Sequence, residues 1–144
     1  MADFVFNVAK GSIKERIANS ADLRLLVLKT AGTDGALKDL TTIAAVLGEG
    51  STSEADFTNY ARKTLVGVTG AVDNTGDKVT ADFDDVVFTA AGGALNNTTT
   101  DVIIYEFKTN DADSVPLVQL DAVFTTDGNN VTLQVNAAGF WSST

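Results

Sequence analysis

The stretch Val118-Gln119-Leu120-Asp121-Ala122-Val123-Phe124-Thr125-Thr126-Asp127-Gly128-Asn129-Asn130-Val131-Thr132-Leu133-Gln134-Val135-Asn136 decides the fold class. Apolar and polar residues alternate toward Phe124 and again from Val131 to Asn136, the period-two pattern of strands with one wet face. Between the runs, Thr126-Asp127-Gly128-Asn129 supplies residues that tolerate left-handed backbone or bond to their own main chain. The expectation is a β-hairpin.

Working upstream, the same vocabulary recurs. Leu117 to Thr125 follows the single proline, Pro116, whose missing amide donor is tolerated at a strand start. Val102 to Phe107 is apolar enough for a central strand, and Val86 to Ala90 reads as another. Val79-Thr80-Ala81-Asp82-Phe83 alternates, and Asp73-Asn74-Thr75-Gly76-Asp77 can turn the chain back from a β-branched strand over 63–69. Leu23 to Lys29 and residues 2–8 also read as strands. In the second of these, alternation places Phe4 and Phe6 on one face with Ala2 and Val8, and Val5 on the other.

Helical signals are confined to the N-terminal third. Ser12-Ile13-Lys14-Glu15 matches a capping box and predicts a short helix over 12–19. Leu37, Leu40, Ile43, Ala44 and Leu47 recur at helical spacing before Gly48, predicting a helix over 36–47. Ser51-Thr52-Ser53-Glu54 offers one more helical turn, through Phe57. The fold class expected is mainly β (α+β): a single domain over 1–144, an antiparallel β-sandwich or barrel with one or two short helices near the start.

The chain has 144 residues, enough to bury a core without cross-links, and contains no Cys and no His. It therefore lacks the side chain that titrates nearest neutral pH, the commonest soft metal ligands and the strongest nucleophile. The prior moves toward binding or assembly and away from catalysis. Nineteen acidic and ten basic residues give a formal charge of −9. Residues 1–63 hold eight of each sign, while 64–144 hold two basic and eleven acidic. No Lys/Arg cluster exists that could release counterions from a phosphate backbone, so direct nucleic-acid binding is not expected. Neither a basic leader nor an apolar run near 20 residues is present, and no membrane partner is expected.

Three constellations bear on chemistry. Asp82, Asp84 and Asp85 are the densest carboxylates, but alternation puts Asp82 on the polar face and Asp84-Asp85 in a turn, which reads as a solvated surface rather than an acid–base pair. Asp73, Asn74 and Asp77, or Asn110, Asp111 and Asp113, are oxygen donors of the calcium type. Neither group matches an EF-hand, and both lie where turns need Asn and Asp anyway. Ala90-Ala91-Gly92-Gly93-Ala94 lacks the Gly-Lys-Ser/Thr ending of a phosphate loop and reads as a tight turn. The Asn96-Asn97-Thr98-Thr99 and Asn130-Val131-Thr132 acceptor patterns matter only in a secretory host. No catalytic residue, metal or cofactor is expected, and no enzyme activity.

Four segments together resemble the small virion structural proteins of tailed bacteriophages: Met1-Ala2-Asp3-Phe4-Val5-Phe6-Asn7-Val8-Ala9-Lys10-Gly11, Phe57-Thr58-Asn59-Tyr60-Ala61-Arg62-Lys63, Phe88-Thr89-Ala90-Ala91-Gly92-Gly93-Ala94-Leu95-Asn96-Asn97-Thr98, and residues 125–140. The resemblance implies a virion component made in the host cytoplasm. By analogy with small acidic proteins that lack enzymatic signatures, it implies a capsid decoration, or cement, protein on the outer surface of the head. A neck or tail adaptor, a fibre-attached module or a receptor-binding piece is the alternative. Expected partners are the major capsid protein or other virion proteins, and further copies of the chain in a homo-oligomer. The docking residues expected are Phe4, Phe6, Phe57, Tyr60, Arg62, Lys63, Phe140 and Trp141. Contacts should come mainly from the electrically balanced residues 1–63. Trp141 beside Phe140 reads equally as a core plug or an anchor in a neighbouring subunit.

Overall fold

The computed structural model describes residues 3–9, 13–19, 22–134 and 141–143. In chain order these form β1 (Phe4–Val5), α1 (Ile13–Asn19), β2 (Leu23–Thr30), α2 (Asp34–Leu37), α3 (Ile43–Gly48), β3 (Ser53–Glu54), β4 (Lys63–Thr64), β5 (Thr69–Asp73), β6 (Lys78–Asp82), β7 (Val86–Phe88), β8 (Asp101–Glu106), β9 (Val115–Asp121), β10 (Val131–Leu133) and β11 (Trp141–Ser143). The architecture is mainly β with short helices, its sheets antiparallel and none of them closed into a barrel.

The main sheet runs β1-β9-β8-β2-β3, with β4 also on the outer edge of β2. Strand β8 lies at its centre, and every one of its six residues is buried. The reason is that both faces of this sheet are covered. Leu23, Leu25, Val27, Val102 and Ile104 point to one face, where they pack with Ile17, Phe57, Phe83, Val86 and Phe88. Leu26, Leu28, Ile103 and Tyr105 point to the other, where Phe6, Leu37, Ile43 and Val46 cover them. Period-two alternation thus feeds two cores, and each fully buried Leu, Ile or Phe contributes roughly 1.5–3 kcal/mol. Between Ile104 and Tyr105 the register with β9 slips by one residue, so Leu117 and Val118 both reach the first core.

Several sequence expectations change in detail. The strand pattern of 118–136 is present, but its two halves do not form a hairpin. Strand β9 is bounded by β8 on one edge and β1 on the other. No edge is left for β10, which pairs with β7 instead, Val131 opposite Phe88 and Leu133 opposite Val86. The last part of that stretch, residues 135 and 136, lies outside the described residues.

The helix expected over 36–47 is two helices. Thr33 caps α2 by accepting from Ala36 N–H, and Thr42 starts α3 by accepting from Ala45 N–H. Between them the Lys38 carbonyl is taken by Asn7 N–H at 2.7 Å, and the first amides of α3 donate to Ser114 and Asp111 carbonyls. Tertiary partners claim the groups that a continuous helix would have used. The helical turn expected from Ser51 is instead β3. Ser51 N–H donates to Glu49, and Glu54 is drawn to Arg62 rather than back to Ser51, so the capping box never closes. The strand expected over 63–69 divides into β4 and the start of β5, and the one over 2–8 shortens to Phe4–Val5. The turn at 73–77 does connect a hairpin, β5 to β6, with Asp73 opposite Lys78. The capping serine of α1, Ser12, lies outside the described residues.

Candidate functional site

The densest polar constellation grows out of an interrupted sheet edge. Strands β3 and β4 pair with the two ends of β2, Glu54 opposite Leu28 and Lys63 opposite Leu25. Between them residues 55–62 bulge away, leaving the middle of the ladder to be completed by other groups. Ala55 N–H donates to the Val27 carbonyl at 2.8 Å. The Tyr60 hydroxyl accepts from Val27 N–H at 3.0 Å and donates to Glu54 Oε1 at 2.7 Å. A side chain therefore takes the place of a strand carbonyl.

Arg62 joins this edge to the loop between β8 and β9. Its Nε and Nη2 donate to the two Glu54 oxygens, each at 2.7 Å, and Nη1 and Nη2 donate to Asp111 at 2.6 and 2.9 Å. Two bidentate carboxylate pairs occupy most of the guanidinium fork. Hydrogen bonds to Glu54 first, and to Asp111 next, raise the Arg62 pKa further above its ordinary value. Arg62 in turn holds the Asp111 carboxyl below the usual aspartate range. Burial, with the Glu54 charge behind it, raises the Tyr60 hydroxyl, and burial likewise raises Tyr105, whose hydroxyl lies 3.4 Å from Arg62 Nη1. Both phenols stay protonated and the guanidinium stays charged at neutral pH. The assembly clamps three segments; it does not exchange protons there.

The expected docking residues are divided by this geometry. Phe57, Tyr60 and Lys63 come together around Phe88, with ring centroids 5.8 Å apart for Phe57 and Phe88 and the Lys63 ammonium 5.1 Å from the Phe88 ring, while Arg62 turns to Glu54, Asp111 and Tyr105. Phe4 and Phe6 sit in the other core, their rings 5.0 Å apart. Phe6 and Phe57 are 0% and 2% exposed, so the folded chain spends both rings on its own interior. Phe140 lies outside the described residues. The backbone of Trp141, in β11, pairs with Ala81 of β6.

The acidic groups weighed from sequence also find places. Asp84 and Asp85 are exposed, and Asp82 Oδ1 accepts from Phe83 N–H. Asn110 Oδ1 accepts from Ala112 and Asp113 N–H, a turn held by its own side chain, while Asp111 belongs to Arg62. The Ala90–Ala94 loop takes left-handed backbone at Ala90, Gly92 and Gly93, and its amides at 90, 91, 92 and 93 all donate to protein oxygens.

Sequence reasoning missed Glu54, Tyr105 and a second polar group, Asp101 with Gln119 and Asp121. Asp101 carried a readable signal: an acid at the head of an otherwise apolar strand. Comparison with protein-family models, with curated proteins and with solved structures finds no match for this chain.

Proposed function

We propose that the chain is a bacteriophage virion structural protein, a capsid decoration (cement) protein that binds and stabilises the outside of the head and acts by docking, without catalysis. The observation that carries this reading is an open edge. Strand β5 pairs with β6 on one side and with no other strand among the described residues. It presents Val72 at 64% exposure, preceded by Val66 at 60%. An exposed apolar edge strand is a template for pairing with another chain. Arg62, the cation expected to face the capsid, is bound into the fold, so the edge at 69–73 is the better docking element. The acidity of residues 64–144 keeps free copies apart in solution.

The test is binding of labelled chain to phage heads stripped of their outer proteins, read by co-sedimentation and by reconstruction of the particle. Saturable binding at regular sites on the shell, lost with Val72→Glu while Val123→Glu binds as before, supports the proposal. Density at the neck or tail alone would replace it with the adaptor role, and no binding to any particle would refute it.

A further inference from the structure

Strand β8 opens on a carboxylate that the fold does not neutralise. Asp101 is 1% exposed. The antiparallel register sets Asp121 of β9 directly opposite it, where side chains on one face stand about 4.5–5.5 Å apart at Cβ and like charges repel. Gln119 Nε2 donates to Asp101 Oδ1 at 3.2 Å. Among the described residues that leaves Asp101 Oδ2 and Gln119 Oε1 buried with no hydrogen-bond partner. Among the described residues the charges near the pair do not answer it. From β2, Leu28 lies opposite Asp101 while the neighbouring Lys29 is committed to Asp56 at 2.7 Å. Ahead of β1, Asp3 brings another carboxylate, accepting from Asp121 N–H.

Beside the pair lies a cleft of about 270 Å³ lined by Ala31, Thr100, Asp101, Asp121 and Val123. A water molecule occupies roughly 30 Å³ of liquid, so the cleft has room for an ion with part of its hydration shell. Every side-chain donor that lines it is a hard oxygen: two carboxylates and the Thr100 hydroxyl. That set suits calcium or magnesium and does not suit zinc or copper. We infer that the cleft between the start of β8 and the end of β9 binds a divalent cation of the calcium class, held by Asp101 and Asp121 and completed by neutral oxygens and water.

Among the described residues no three acidic groups converge on one point. The site is therefore a two-carboxylate one, and its affinity belongs to the weak class, with Kd on the order of 10⁻⁴–10⁻³ M. Desolvation raises the Asp101 pKa, with Thr100 and Gln119 opposing it and Asp121 adding to it. The site is separate from the β5 edge and stands or falls apart from the decoration role.

The experiment is calorimetric titration of the full chain with CaCl2 near neutral pH, alongside thermal melts in CaCl2 and in chelator. Binding in the range above, weakened about tenfold or more in both Asp101→Asn and Asp121→Asn because each removes one of the two formal charges, supports the site. Asp121 is exposed, so D121N carries the test if D101N does not fold. No binding up to about 10 mM, beyond the weakest natural class, overturns it. Binding unchanged in both variants also overturns it, by placing the ion elsewhere. So does a chain that gains stability only from added acid and never from CaCl2, since the pair would then hold a proton.

Discussion

Removing one oxygen, in Tyr60→Phe, tests the reading of the interrupted β2 edge. The ring stays, with its packing against Phe57 at 5.1 Å between centroids. What disappears is the acceptor for Val27 N–H and a donor to Glu54. Val27 is 0% exposed, so its amide is left buried without a partner, which costs about 1–3 kcal/mol. Loss of the hydrogen bond to the Glu54 carboxylate adds about 1 kcal/mol, since Glu54 keeps both bonds from Arg62. The expected total is about 2–4 kcal/mol, a fall in Tm on the order of 10 °C for a chain this size. Tyr105→Phe is the control. Among the described residues its hydroxyl makes only the 3.4 Å contact to Arg62, and its loss should cost about 0.5 kcal/mol or less. Urea unfolding of both variants gives the difference, and hydrogen exchange at the Val27 amide locates it. If Y60F is no less stable than Y105F, or if the Val27 amide exchanges no faster in Y60F, the hydroxyl is not completing the ladder.

Two further expectations concern charge and backbone. The Asp111 carboxyl is held low by Arg62, so its contribution is complete above the ordinary aspartate value of 3.8 and is lost as pH falls from there through its lower folded value. Asp101 is raised, so its contribution is complete below 3.8 and is lost as pH rises through its higher folded value. In chelator, D111N should flatten the acid limb of a stability-against-pH curve and D101N the limb above it; the reverse assignment would refute the two environments. Gly92 has φ +90°, and an added Cβ would stand 2.2 Å from Asn96 Oδ1 and 2.7 Å from Thr126 Oγ1. Gly92→Ala should therefore cost about 1–3 kcal/mol in thermal unfolding, whereas Gly35→Ala, with open space at its Cβ, should gain about 0.4–1 kcal/mol.

Local periodicity made most strands legible, because alternation reports which face of a strand is wet. It could not report partners. The hairpin read from Val118 to Asn136 failed because β1, over a hundred residues upstream, holds the β9 edge that β10 would have needed. The helix over 36–47 broke because Asn7, Asp111 and Ser114 claim its backbone groups, all from outside the window. Residue type pointed to Tyr60, Arg62 and Lys63, but exposure cannot be read from type, and two distant carboxylates turn Arg62 inward. Glu54 was hidden inside a capping-box pattern that is equally consistent with its sequence. Asp101 was visible as an acid heading an apolar strand, and only the register with Asp121 gives that oddity a meaning.

Strand order also sets a timetable for a chain growing from its N-terminus. Leu23–Thr30 is finished early, yet its inner neighbour β8 begins at Asp101, about 70 residues later. At roughly 5–20 residues per second that is an interval of about 4–14 s in which a leucine-rich segment lacks its main partner. β1 waits longer still, for Val118 and Gln119. Of its strand partners only β3 and β4, two residues each, are made soon after it, and they lie on its outer edge. With the helices packed on its face, these two short strands occupy the outer edge of β2 and leave its inner edge open until β8 is made.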